Sequence, residues 1–222
     1  MARFDRSSMA HLPGDWIELP DALLYFEADF MPDQAALFAE YAGQLQWTQD
    51  RIVVYGRELS IPRLNAWYGD PGTDYAYSGL HLQPHPWLPS LGALRHRLNQ
   101  YLQLDFNSVL ANVYRDGADS VGRHADDEPE LGPLPVIATI SLGATRRFAL
   151  YPNNKRANNR LARPWRADLP GGSLLVMAGR CQAAWQHEIA KTARPVDGRI
   201  SLTFRQVAGR VIAKSGTDAA LV

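Results

Sequence analysis

The sequence contains little cysteine and little lysine, and it has no long hydrophobic run. Its only cysteine is Cys181, so no disulfide can form within the chain. No stretch approaches the ~18 apolar residues of a transmembrane helix, and the first residues lack the order of a signal peptide. These absences predict a cytoplasmic protein, in a bacterial-type cytosol, with no membrane partner.

A net charge is also missing, because 23 Lys and Arg balance 23 Asp and Glu. The balance does not hold along the chain. Residues 1–142 carry 9 basic and 19 acidic side chains, whereas residues 143–214 carry 14 basic and 3 acidic ones. Such asymmetry is typical of a basic face that meets a polyanion. The alternative is that strands from the two halves interleave and cancel it in space.

The distribution of apolar residues predicts a fold that is mainly β with flanking helices (α+β). Helical spacing is present over residues 32–46 and 86–102. A hairpin is predicted to turn near Tyr55, and many short strands follow residue 103. Close strand spacing with turns between favours a sandwich or jelly roll over a parallel α/β sheet.

The order of these segments along the chain predicts one structural domain with four parts. These are an N-terminal arm over residues 1–20, a region of helices with the hairpin over 21–105, a β-rich core over 106–207 and a C-terminal tail over 208–222.

The first candidate for chemistry is the pair His124 and Asp126, joined by His187 61 residues after the aspartate. Side chains at positions i and i+2 of a strand share a face. Two imidazoles and a carboxylate form the facial triad of non-haem Fe(II) oxygenases. A His-x-Asp pair also arises by chance, and a single later histidine is often structural, so spacing alone leaves both interpretations open.

A second candidate is the alternating run from residue 199 to 205. One face carries two arginines and two hydroxyl residues: Arg199, Ser201, Thr203 and Arg205. Inward-facing arginines are costly without anions, and a dicarboxylate such as 2-oxoglutarate supplies two. Asn112 and Tyr114 place an amide and a phenol on one face of another strand. The alternative is an outward cationic strand paired with surface carboxylates.

Together these segments resemble the AlkB family of Fe(II)- and 2-oxoglutarate-dependent nucleic-acid dealkylases. The agreement in order and spacing extends over roughly residues 62–207 and is carried by Asn112-Val-Tyr114, His124-Ala-Asp126-Asp127-Glu128, Ile140-Ser-Leu-Gly143, Trp185-Gln-His187 and Arg199 to Arg205. Ala66-Trp-Tyr-Gly-Asp70 resembles the branch that contains the animal repair enzymes. One departure is Ser201, where the family usually has asparagine.

The resemblance implies a double-stranded β-helix (jelly roll) with a catalytic core that uses Fe(II), 2-oxoglutarate and O₂. His124, Asp126 and His187 would bind the iron. Arg199 would bind the far carboxylate of 2-oxoglutarate. The remaining co-substrate contacts would come from Asn112, Tyr114, Ser201, Thr203 and Arg205.

The resemblance also implies oxidative demethylation of N-alkylated bases, such as 1-methyladenine and 3-methylcytosine, in DNA. This direct reversal of damage releases formaldehyde and needs a base flipped from its stack. The implied substrate contacts are Tyr68 and Trp67 at the base, Asp127 and Glu128 at its exocyclic amine, Tyr55 as an inserted finger, and Arg156, Arg160 and Arg163 at phosphates. A solvated turn at residues 127–128 and a capping role for Tyr55 are the alternatives.

Two further functions stay open at this level. One keeps the cofactor chemistry and changes the substrate to RNA or a protein side chain. The other is a non-catalytic jelly-roll binding module. The basic loop favours a nucleic acid, and the expected partner is alkylated DNA, with RNA as the alternative. A monomer is expected because repair enzymes that scan nucleic acid are often monomers.

Overall fold

The protein folds as two antiparallel β-sheets that face one another, with helices covering the outer side of the larger sheet. The computed structural model describes residues 4–54, 56–77, 80–153 and 162–208. The strands are β1 (Asp15–Leu19), β2 (Ala22–Glu27), β3 (Arg51–Val54), β4 (Arg57–Ser60), β5 (Leu64–Gly69), β6 (Tyr75–Tyr77), β7 (Leu80–Leu82), β8 (Ser108–Tyr114), β9 (Val121–His124), β10 (Ile137–Gly143), β11 (Arg146–Pro152), β12 (Trp165–Leu169), β13 (Leu174–Gly179), β14 (Trp185–Ile189) and β15 (Arg199–Arg205).

The sheets join strands that are distant in the chain. The seven-stranded sheet has the order β1-β2-β13-β10-β15-β8-β5, and the four-stranded sheet has the order β12-β11-β14-β9. Two separate hairpins pair β3 with β4 and β6 with β7. All pairings between these strands are antiparallel. Two facing antiparallel sheets of this order form the predicted jelly roll.

The two longest helices of the described residues form where the apolar spacing predicts them, whereas two short helical segments were not predicted. They are α1 (Ala35–Gln44), α2 (Pro89–Leu102), the short α3 (Cys181–Ala184) and a 3₁₀ turn (Pro129–Leu131). Helix α2 begins with a proline, which suits a first turn, and ends at Gln103 in the left-handed conformation (φ +52°). Its buried face is Leu91, Leu94, Leu98 and Leu102. Of the helices in the described part of the chain, none is long and apolar enough to cross a membrane.

The pleat of the larger sheet divides the core into two layers. On β15, Ile200, Leu202 and Phe204 pack with the helix residues. Between the sheets, apolar side chains such as Leu110 and Met177 pack against the smaller sheet. The polar residues of β15 share this second face, because successive side chains of a strand alternate. The sheets therefore enclose a polar region within an apolar core.

The N-terminal arm predicted over residues 1–20 is wrong in its last part. Residues 15–19 form β1, whose partner β2 pairs with β13 of the larger sheet. Proline and glycine break the sequence period here, but backbone pairing to an existing sheet does not need a period. The larger sheet also takes β5 from the region before residue 106. The first three predicted parts therefore each contribute strands to the larger sheet, whereas nearly all of the fourth lies outside the described residues.

Candidate metal and co-substrate site

The three predicted metal ligands meet between the sheets. His124 closes β9 and pairs directly with His187 of β14, which places the two ring centroids 4.2 Å apart. Asp126 follows two residues after the end of β9, and its backbone N–H donates to Gln182 Oε1 at 3.0 Å. One ligand atom from each residue lies within 4.8 Å of the others. This is the spacing that a bound cation requires of two imidazoles and one carboxylate.

The two imidazoles are held in forms that suit metal binding. His124 Nδ1 lies 2.8 Å from the carbonyl oxygen of Gly122. The proton belongs on Nδ1, which donates, so Nε2 is left as the acceptor. Desolvation, with the nearby His124, lowers the pKa of His187 to about 3. His187 is therefore neutral near pH 7, as a ligand must be, and Phe148 stacks on its ring at 5.5 Å.

Asp126 is ionised for a physical reason. It is 2% exposed, and burial alone would raise its pKa. The positive charge of Arg205, with smaller contributions from the two histidines, outweighs burial and holds the pKa of Asp126 below its usual range. Arg205 Nη2 donates to Asp126 Oδ2 at 2.7 Å, which leaves Oδ1 3.6 Å from His124 Nε2. A buried carboxylate in this setting offers one oxygen to the metal.

Arg199 provides a receptor for a carboxylate. It is 1% exposed, and its Nη2 donates to Ser141 Oγ at 2.9 Å. Among the described residues, its Nε and Nη1 have no hydrogen-bond acceptor. Burial lowers the pKa of Arg199 to about 10, so the side chain stays cationic near pH 7. Unsatisfied buried donors on a cation are costly, and a carboxylate of a bound ligand would satisfy both.

A single cavity of about 520 Å³ contains both parts of the site. It lies between the sheets and is lined by eleven of the residues predicted from the sequence: Asn112, Tyr114, His124, Asp126, Asp127, Glu128, His187, Arg199, Ser201, Thr203 and Arg205. Ser201 stands opposite Asn112 in the pairing of β15 with β8. The alternation predicted for residues 199–205 therefore faces the cavity, and the outward cationic strand is excluded.

The structure does not bring the predicted aromatic wall to this cavity. Tyr68 is 1% exposed on the helix-covered face, and its hydroxyl accepts the backbone N–H of Gln46 at 3.0 Å. Trp67 faces the other way, but it packs in the core between the sheets and donates to the Thr73 carbonyl at 3.0 Å. Adjacent strand residues cannot share a face. Neither residue lines the cavity as the described residues form it.

Most of the remaining predicted contacts to nucleic acid fall on residues that the structure does not describe. Tyr55, Arg156 and Arg160 fall outside the described residues. Arg163 is described and exposed, two residues before the start of β12.

Several residues of the site are absent from the sequence-based prediction. Arg63 is buried and lines the cavity, where Nε donates to Asn112 Oδ1 at 2.9 Å. Ser141 supports Arg199, and Gln182 supports the backbone of Asp126. These residues act by contact across the fold, which a short motif does not encode. For Arg63 the signal available was a basic residue between Pro62 and an apolar strand.

Comparison with known proteins agrees with this geometry. The family profile of the 2OG-Fe(II) oxygenase superfamily matches residues 25–205. The chain belongs to this superfamily and, within it, to the AlkB family. Mouse alpha-ketoglutarate-dependent dioxygenase alkB homolog 3 is 43% identical over 150 residues, which are 66% of this chain and 52% of the relative. The human form of this protein is 41% identical over 185 residues, or 82% of this chain and 62% of the relative.

A second group of relatives carries a different name. Human DNA oxidative demethylase ALKBH2 is 39% identical over 159 residues, covering 71% of this chain and 61% of the relative. The chain thus spans about half to two thirds of the length of the curated relatives it matches. The solved structure of OsALKBH1 superposes with a TM-score of 0.56 at 18% identity, covering 87% of this chain and all of that one. That likeness confirms the jelly-roll fold.

Proposed function

We propose that this AlkB-family protein is an Fe(II)- and 2-oxoglutarate-dependent dioxygenase that demethylates N-alkylated bases in DNA, of the 1-methyladenine and 3-methylcytosine type. The observation that carries the proposal is one cavity holding His124, Asp126 and His187 beside the unsatisfied donors of Arg199. A binding module without catalysis has no need of this combination. The buried neutral His187 and the ionised Asp126 fit Fe(II), and Arg199 fits a carboxylate.

In this mechanism His124, Asp126 and His187 hold Fe(II), while Arg199 binds the far carboxylate of 2-oxoglutarate. Fe(II) held there would supply O₂-dependent oxidation chemistry, in which 2-oxoglutarate would yield succinate and CO₂ while the N-methyl carbon would be hydroxylated and lost as formaldehyde. The chain itself orients the reactants. Arg205 keeps Asp126 ionised, and Phe148 stacks on the ring of His187.

Recognition of the base is proposed to rest on the carboxylates beside the ligand. Asp127 and Glu128 both line the cavity next to Asp126. A carboxylate accepts from an exocyclic amine, and negative charge favours a cationic methylated base over a neutral one.

Contact with the rest of the substrate is proposed to involve Tyr55 as an inserted finger and Arg156, Arg160 and Arg163 at phosphates. Neutralising the three arginines together should flatten the salt dependence of DNA binding, because fewer counterions are released. An unchanged slope in a fluorescence-anisotropy titration would remove them from the interface.

Tyr55→Ala should impair repair of duplexes more than of single strands. We propose further that the protein acts as a monomer in the cytoplasm.

The experiment that tests the function incubates the protein with oligonucleotides containing 1-methyladenine. It measures formaldehyde released from the methylated base and succinate formed from 2-oxoglutarate. Single-stranded DNA, duplex DNA and RNA of one sequence are compared, each with and without Fe(II) and 2-oxoglutarate. Release from DNA that needs both additions is expected. Preferential release of formaldehyde from RNA would assign RNA rather than DNA as the substrate. No release from any of the methylated substrates would contradict a nucleic-acid demethylase.

A further inference from the structure

A buried cation in the cavity remains outside the roles described so far. Arg63 lies just before β5, is 8% exposed and lines the cavity wall. Its Nε donates to Asn112 Oδ1 at 2.9 Å, and its Nη1 donates to the Ser120 carbonyl at 3.4 Å. The first contact is short and joins two buried side chains, whereas the second is long. Arg63 is therefore placed chiefly by its contact with the amide of Asn112.

This contact fixes the orientation of the amide. The oxygen and nitrogen of an asparagine side chain have nearly the same shape, so an amide without a specific partner can turn over. A guanidinium has donors only. The atom 2.9 Å from Arg63 Nε must accordingly be the oxygen, and Nδ2 is directed away from Arg63.

The position of Asn112 gives that orientation a purpose. Asn112 lies on the cavity face of β8, two residues before Tyr114 and directly opposite Ser201 of β15. Its NH₂ group is a donor and can match only an acceptor. The keto-acid end of 2-oxoglutarate presents acceptors only, whereas a turned amide would present an oxygen to them.

We infer that Arg63 is a positioning residue that holds the amide of Asn112 with its NH₂ group toward the co-substrate. This inference rests on the proposed function. Arg63 is not required to touch the co-substrate itself, because it acts through the neighbouring amide. The loss of Arg63 should consequently be felt in co-substrate binding rather than in metal binding.

The test is a double-mutant cycle on 2-oxoglutarate binding, measured by calorimetry with Mn(II) in place of Fe(II). The proteins are the unmodified chain, Arg63→Met, Asn112→Ala and the double variant. Arg63→Met should weaken 2-oxoglutarate binding about tenfold, with Mn(II) affinity changed less than twofold. In the Asn112→Ala background the same substitution should change 2-oxoglutarate binding less than twofold.

Matched variants separate positioning from folding and from charge. Arg97→Met alters an arginine of α2 that lies over Phe30, 5.4 Å from the ring centroid, and should bind 2-oxoglutarate as the unmodified chain does. Arg63→Lys keeps the charge but loses the Nε donor, so an intermediate loss is expected. If Arg63→Met does not fold, as judged by its thermal transition, the cycle is run with Arg63→Lys.

Two results would overturn the inference. One is unchanged 2-oxoglutarate binding in folded Arg63→Met. The other is an equal loss in both backgrounds, which would mean that Arg63 acts without Asn112. Failure of the unmodified chain to bind 2-oxoglutarate with Mn(II) would instead overturn the proposed function, and this inference with it.

Discussion

The two sheets contribute different chemistry to one cavity. The seven-stranded sheet supplies the side chains suited to a carboxylic acid: Asn112, Tyr114, Arg199, Ser201, Thr203 and Arg205. The four-stranded sheet supplies His124 and His187, and Asp126 follows directly from its edge strand. The co-substrate and metal halves of the site therefore rest on separate frameworks, which must be held in register.

The two frameworks are built differently. Strands β8 and β15 pair without interruption over seven residues, and their opposite faces pack on the helices. The pairing of β14 with β9 contains an irregularity between His187 and Ile189. Asp126 lies beyond the strand end, held by Gln182 and Arg205. The co-substrate half is thus fixed by sheet pairing, whereas the metal half depends more on side-chain contacts.

Arg205 connects the halves. It belongs to β15 of the larger sheet, yet its Nη2 donates to the carboxylate of Asp126, a proposed metal ligand, at 2.7 Å. Both side chains are almost fully buried. This pair is a direct link through which displacement of one half would be felt in the other.

The largest effect should come from removing the metal half's carboxylate. Asp126→Ala removes the carboxylate ligand and leaves only the two imidazoles, so Mn(II) affinity should fall by about 100-fold or more. Iron-dependent formation of succinate should disappear. Asp127→Ala, one residue away, should bind Mn(II) within threefold of the unmodified chain. Retained succinate formation in Asp126→Ala would show that the metal is held elsewhere.

Removing a cation from the co-substrate half should have a different signature. Arg199→Met deletes the donors that await a carboxylate, so the KM for 2-oxoglutarate should rise about 30-fold. Mn(II) affinity, measured without 2-oxoglutarate, should stay within threefold. Steady-state kinetics measure the KM for 2-oxoglutarate, and a direct titration measures the Mn(II) affinity. A parallel loss of metal binding would contradict the independence of the two halves.

Substitution of Arg205, which connects the two halves, should weaken binding of both the metal and 2-oxoglutarate, each by a smaller factor than in the preceding variants. Arg205→Met leaves Asp126 buried without its partner, and removal of one partner from a buried pair costs about 3–5 kcal/mol in unfolding free energy. In the folded variant, Mn(II) affinity and 2-oxoglutarate affinity should each fall about tenfold. The same two titrations measure this. A loss confined to one ligand would assign Arg205 to one half only.

The co-substrate half was the more predictable from sequence. Alternation along residues 199–205 fixes which side chains share a face, and a strand preserves that order wherever it lies. The prediction for His124, Asp126 and His187 depended on a spacing that is common by chance. Their convergence is confirmed, but Asp126 lies beyond the end of β9 and so does not share a strand face with His124, while His187 is brought in by the pairing of β9 with β14.

The failures have a common physical cause. Tyr68 and Trp67 are neighbours on β5, so the strand directs them to opposite faces, and both are buried in the core. Arg63, Ser141 and Gln182 are single polar residues whose partners lie 49, 58 and 56 positions away. Contacts over such separations depend on the completed topology, which local patterns do not contain.

The smallest effect concerns two Arg–Asp pairs. One lies in the connection between the two sheets, and the other lies on the smaller sheet. Asp119 lies between β8 and β9, is 4% exposed, and accepts from Arg115 Nε at 2.7 Å and Nη2 at 2.9 Å. Asp168 makes the same pair with Arg147 at 2.8 and 2.9 Å, but its side chain is 53% exposed on the smaller sheet. Burial should make the first pair matter more.

Asp119→Asn should lower the free energy of unfolding by about 1–3 kcal/mol at pH 7, and Asp168→Asn by less than about 1 kcal/mol. The hydrogen bond from Arg115 holds the pKa of Asp119 below its usual range. A folded-state pKa below the unfolded value stabilises above the unfolded pKa of about 3.9, and this stabilisation is lost as the pH falls through the folded pKa. Urea titrations at pH 7 and at about pH 3 should therefore show the Asp119→Asn deficit shrinking in acid. Equal losses of unfolding free energy in the two variants at pH 7 would mean that the buried pair of Asp119 adds no more stability than the exposed pair of Asp168.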